Sequence, residues 1–148
     1  MDTENFDRDV RREIYDVTMR EGTPPLAARL SETLRAPLAE VHASLQRLAG
    51  ARMIALQRDE IEILMAGPFS AVPTPFRVRA GGIDCYGNCI WDALGIPAML
   101  QSDADIDTSC ADCGTSASIR IRNAQLEGEG LMHFAVPARQ WWKDVVFT

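Results

Sequence analysis

The chain has 148 residues, 47% of them hydrophobic and 24% charged, with a formal net charge of −6. That length supports one compact domain or two small ones sharing a core, and the composition is that of a globular protein. No apolar run approaches the roughly 20 residues a bilayer-spanning helix needs, and acid exceeds base in both halves, which disfavours nucleic acid as the main partner. The N-terminus Met1-Asp2-Thr3-Glu4-Asn5 is acidic and polar, unlike a signal peptide, so the chain is expected in the cytoplasm with reduced thiols.

Val10, Ile14 and Val17, with Met19 beside them, predict a helix over 7–21 that Gly22-Thr23-Pro24-Pro25 ends. Leu26, Leu30 and Leu34 repeat every four residues and predict a second helix. Leu38, Val41, Leu45 and Leu48 form one stripe of a third, begun at Pro37 and stopped by Gly50. Met53–Leu56 and Ile61–Met65 read as strands joined by the charged turn Gln57-Arg58-Asp59-Glu60. Three helices and a hairpin make a winged-helix-like module over 1–67. It reads as a scaffold rather than a DNA reader, because its third helix region offers only Arg47 and Arg52 to phosphates.

Gly67–Pro75, rich in proline, reads as the joint to a strand-rich domain over 68–148, giving an α+β chain overall. Strands are expected at Phe76–Arg79, Ser118–Arg122, Met132–Val136 and Val145–Thr148, and an end inside a strand points to a truncated chain. The run Asp103, Asp105, Asp107 reads as a solvated loop, lacking the glycine and distal Glu of a calcium loop. His42 and His133 sit in apolar settings typical of packed or surface histidines.

Between these elements, Asn88 is a good N-cap residue, which predicts a helix with Cys89 in its first turn and Asp92 three residues on, on the same face. The positive end of that helix should favour thiolate, making Cys89 the most reactive thiol. A carboxyl beside it can carry a proton, although an Asp in a first helical turn can also serve only the helix dipole. Cys85, Cys89, Cys110 and Cys113, spaced C-x3-C and C-x2-C, offer a second reading: a tetrahedral zinc site in a non-catalytic metal-binding protein or sensor. Cys110 and Cys113 alone allow redox pairing. Trp91, Trp141 and Trp142 are candidates to line an apolar pocket, or simply core.

From about Pro73 onward the chain resembles the organomercurial lyase (alkylmercury lyase) family. Pro73-Thr74-Pro75-Phe76-Arg77-Val78 is similar to the strand entering its catalytic domain, and Tyr86 to Leu100 carries its Y-x-x-C-x-x-D-x-L-x-x-P-A segment. Asp107-Thr108-Ser109-Cys110 followed by Gly114 resembles a later segment holding a structural cysteine. The resemblance implies a winged-helix-type module before a lyase-like domain, protonolysis of carbon–mercury bonds and no organic cofactor. Cys89 would capture mercury and Asp92 would handle the proton, with a small organomercurial as substrate and thiol donors as partners.

The family also uses a second catalytic cysteine on a strand near the C-terminus, and Trp141–Thr148 contains none. Mercury(II) prefers soft sulfur and commonly accepts two or more thiolates. The chain is therefore expected to hold it through Cys89 plus one of Cys113, Cys110 or Cys85, Cys113 foremost, and to cleave organomercurials poorly.

The sparse positive charge of the third helix predicts no useful affinity for duplex DNA. Retention of labelled duplex at low salt, where attraction between charges is strongest, should stay at background; tight, salt-sensitive binding would contradict this.

Overall fold

Asp2 caps the first helix, accepting a hydrogen bond from the Glu4 N–H at 3.2 Å, and the chain is helical from there to Glu21 (α1, Thr3–Glu21). The computed structural model describes residues 2–145. Gly22 ends α1 at φ 82°, its N–H donating to the Thr18 carbonyl at 2.7 Å. A side chain there would meet the Asp84 carbonyl oxygen at 2.6 Å, so glycine serves both the left-handed turn and the close approach. Helices α2 (Ala27–Leu34) and α3 (Leu38–Gly50) follow. Their apolar stripes face α1, and Val10, Ile14, Leu30, Val41 and Leu45 are fully buried in one cluster.

Strands β1 (Ala55–Leu56), β2 (Ile63–Ala66) and β3 (Phe69–Ser70) form a small antiparallel sheet in that order. The third strand lies within the stretch expected to be only a joint. Its Phe69 is fully buried and belongs to a second cluster, and a bridge links it to Gly87.

That second cluster lies between one face of a five-stranded antiparallel sheet and the helix that covers it, with Met19 of α1 packed against it. In chain order the strands are β4 (Arg77–Ala80), β5 (Ile83–Tyr86), β6 (Ala104–Ser109), β7 (Ser116–Arg122) and β8 (Gln125–Glu127), with α4 (Ile90–Leu100) between β5 and β6; the spatial order is β5-β4-β6-β7-β8. Alternation along β4 and β6 sends Val78, Ala80, Ala104 and Ile106 inward to Ala93 and Ile96 of α4.

The same alternation turns Arg77, Arg79, Asp105 and Asp107 outward, and this corrects the expectation of a loop over the acidic run. Asp107 pairs with Arg79 at 2.8 Å and accepts from the Ser118 hydroxyl at 2.9 Å, Asp105 pairs with Arg122 at 2.6 Å, and Arg77 pairs with Asp84. Acids on every second residue suit a strand whose neighbours carry arginine.

Met132–Val136 is not a strand. Phe134 instead packs on Trp141 with ring centroids 5.1 Å apart, and the Trp141 indole N–H donates to the Val136 carbonyl at 2.8 Å, folding the segment onto a short 3₁₀ turn at Ala138–Lys143. The strand expected at Val145–Thr148 falls mostly outside the described residues, and Val145 is in a turn. The fold is α+β, helices first and antiparallel sheet after; among the described residues no helix is long and apolar enough to cross a membrane.

Gly87, where β5 gives way to α4, is buried; a Cβ there would lie 2.6 Å from the Ala93 nitrogen and 2.9 Å from its Cα. Backbone atoms cannot yield as a flexible side chain can. Gly87→Ala is expected to lower unfolding free energy by about 1–3 kcal/mol, the usual range for overpacking, read as a shift in urea midpoint at unchanged m value.

Candidate active site

The approach to α4 is pinned from three sides. The Gly87 N–H donates to the Phe76 carbonyl at 2.9 Å, the Thr74 hydroxyl donates to the Gly87 carbonyl at 2.6 Å, and the bridge to Phe69 holds the other edge. Cys89, not Asn88, is the N-cap residue: its backbone is extended at φ −149°, and its carbonyl accepts the Ala93 N–H at 2.9 Å. Asp92 is then the third helical residue.

Asn88 is released from the capping role for another. Its side-chain NH₂ donates one hydrogen bond to Asp92 Oδ2 at 2.9 Å and another to the Pro68 carbonyl at 3.2 Å. The Tyr15 hydroxyl of α1 donates to the neighbouring Gly67 carbonyl at 3.0 Å. The Gly67-Pro68 segment is thus held from both sides, and through Asn88 it fixes one oxygen of Asp92. The Asn88–Asp92 spacing of four residues was a legible signal for such a pair.

Asn88, Cys89 and Asp92 line a cavity of about 270 Å³. Its other walls come from far along the chain: Tyr15 of α1, Met53, Ile54 and Met65 around the small sheet, and Trp141 with Trp142. Sequence reading missed the N-terminal wall, for which no local signal exists, and Met53 and Met65 bring polarizable thioethers into it. Trp91 does not line the cavity and is 60% exposed.

The electrostatics overturn the thiolate expectation for Cys89. Burial pushes its thiol above the ordinary value and the neighbouring Asp92 charge adds to this; the N–H groups of Asp92 and Trp91 oppose the rise without closing a capping hydrogen bond. The helix end is outweighed by the loss of water. Burial likewise raises the Asp92 carboxyl, against the lowering pull of the Asn88 side chain and backbone. When a thiophilic metal takes the sulfur, the neighbouring carboxyl, its proton affinity increased by burial, is placed to receive the proton the thiol gives up. The thiol that is lowered belongs to exposed Cys113, chiefly through its contact with Thr115.

The four cysteines do not assemble into the zinc site of the second reading. Cys85 points into the core from β5, donating weakly to the Val78 carbonyl at 3.5 Å, and burial pushes its thiol up to about 11. Cys110 and Cys113 are exposed in the β6–β7 turn. None of these three lines the cavity with Cys89, and no group of three or more His, Cys, Asp or Glu among the described residues is arranged to hold a metal. Strand alternation is the reason for Cys85: it sends that side chain to the face opposite solvent.

Compared with known proteins, residues 69–148 match the family model for alkylmercury lyase. A solved structure described as the mercury-bound form of MerB2 is similar, with a TM-score of 0.64 and 25% identity over 82% of this chain. The present chain spans 58% of the length of that one. No curated protein matches.

Asp92 sits where its ionised form is disfavoured, which has a consequence for stability. A carboxyl with a raised value in the folded state binds its proton more tightly there than in the unfolded chain, so stability falls as pH rises from the ordinary carboxylate value through the folded one. Asp92→Asn removes that ionisation while keeping an acceptor for Asn88. The variant is expected to melt above the parent at neutral pH, with the gap closing near about pH 3, as thermal scans at both values would show.

Proposed function

This chain belongs to the alkylmercury lyase family, and from that premise we propose that it cleaves carbon–mercury bonds by protonolysis, with Cys89 capturing mercury and Asp92 carrying the proton. The observation that bears most weight is the shared cavity: a neutral thiol and a carboxyl of raised proton affinity face the same partly apolar space. As the Cys89–mercury bond forms, the thiol proton moves to the Asp92 carboxylate and the ligand previously on mercury leaves with its electron pair. A thiolate from solution then adds to the metal and loads it with electron density. The carbon–mercury pair collapses onto the Asp92 proton, releasing hydrocarbon and leaving mercury(II) on two sulfurs.

The aromatic and thioether walls suit an alkyl or aryl group on the metal. Asn88 holds Oδ2, so the proton is best placed on Oδ1. No organic cofactor enters, and a reducing cytoplasm suits the need for free thiols. We read residues 1–67 as a winged-helix-like scaffold and 68–148 as the lyase-like domain, a division supported by the two buried clusters. In this reading the first module supplies cavity wall rather than a surface for nucleic acid.

Asp92→Asn is expected to retain mercury binding and lose hydrocarbon release from an arylmercurial, by on the order of 100-fold or more, as when a positioned acid is removed. Gas-chromatographic measurement of the released arene with excess thiol present tests it. Undiminished release by the Asn variant would remove Asp92 from the mechanism.

A further inference from the structure

The turn joining β6 and β7 carries two cysteines for which the cavity chemistry has no use. The pair Ser109↔Ser116 closes the strands, and within the loop the Gly114 N–H donates to the Cys110 carbonyl at 2.8 Å while the Cys110 N–H donates to the Thr115 carbonyl at 2.9 Å. The first of these bonds spans one helical turn, and Gly114 at φ 71° lets the chain leave it. In such a turn residues i and i+3 lie side by side, so Cys110 and Cys113 share one face. The Cys110 side chain is close enough to help lower the Cys113 thiol, after the larger effect of Thr115, whose hydroxyl lies 3.1 Å from Cys113 Sγ. Both are exposed and unoxidised.

We propose that Cys110 and Cys113 form a second soft-metal site, a dithiol that takes one mercury(II) ion independently of Cys89. Two thiolates held side by side, with no third His, Cys, Asp or Glu donor brought to them among the described residues, match a thiophilic ion content with two sulfurs. Zinc, which seeks four ligands, is poorly served. Each thiol loses its proton as its sulfur–mercury bond forms, so one ion entering releases two protons and no electrons move. Cys113, expected from sequence to partner Cys89, thus partners Cys110 instead. The pairing stands on the turn geometry alone; only the choice of mercury as the ion rests on the lyase reading.

The test is titration of the full chain carrying Cys89→Ser with mercuric chloride against a monothiol competitor. It would be followed by thiolate–mercury absorbance and by mapping of alkylated peptides. One ion per chain is expected, with Cys110 and Cys113 protected together. Adding Cys113→Ser, a change at an exposed position, should weaken retention on the order of 100-fold, because the second sulfur then no longer binds intramolecularly. Equal retention by the two variants, protection of only one of the two thiols, or loss of all binding in Cys89→Ser would each overturn the proposal. Hydrocarbon release by the parent chain is read separately, so failure of the dithiol site and failure of the lyase reading leave different traces.

Discussion

The contact between Gly87 and the first turn of α4 leaves no room for a single methyl group. Because Gly87 and α4 meet at that distance, the two residues between them, Asn88 and Cys89, make the turn that delivers Cys89 to the helix end and Asn88 to its side. The turn is secured by the bridge to Phe69, by the Thr74 hydroxyl, which donates to the Gly87 carbonyl, and by the Phe76 carbonyl, which accepts the Gly87 N–H, all belonging to the segment that leads from the small sheet to the large one. Side-chain chemistry at the site is in this sense a product of backbone packing below it. Rigid support of this kind is what proton transfer over short distances requires.

The electrostatics of the pair follow from water exclusion rather than from the helix. A helix end contributes a partial charge and a few oriented N–H groups, and at Cys89 these are present yet do not win. Burial acts on thiol and carboxyl in the same direction, raising both, so each binds a proton more tightly than it would in water. The arrangement suits a reaction in which sulfur becomes a metal ligand and gives up its proton only then.

Periodicity made α1, α2 and α3 legible, since Val10, Ile14, Leu30, Val41 and Leu45 fall on the stripes that are buried. The C-x-x-D segment likewise marked the start of α4 and the family. Its electrostatics were not legible, because desolvation depends on Met53, Met65 and Tyr15, residues remote in sequence that reach the cavity only through the fold. Strand β6 was hidden by its acids: Asp105 and Asp107 look like loop residues until Arg79 and Arg122 are placed beside them by strand pairing. The short strands β3 and β8 are too brief to show alternation. The cysteines misled for a related reason, since spacing suggests which residues could meet but not which face of a strand each occupies.

The cavity is walled largely by the first half of the chain, with Trp141 and Trp142 closing it, and Cys89 and Asp92 come from the second half. Met53, Ile54 and Met65 touch none of the proton-transfer groups by hydrogen bond, and their part is to bound the space in which the organic group would lie. Under the proposed lyase reading, part of the selectivity therefore resides in a stretch of sequence separate from the reacting groups and can drift separately. Exchanging the small sheet's apolar residues for larger or smaller ones reshapes the set of compounds admitted and leaves the acid and the sulfur where they are. If the proposed chemistry holds, a lineage of such proteins can explore new substrates by altering a wall that takes no part in breaking the bond.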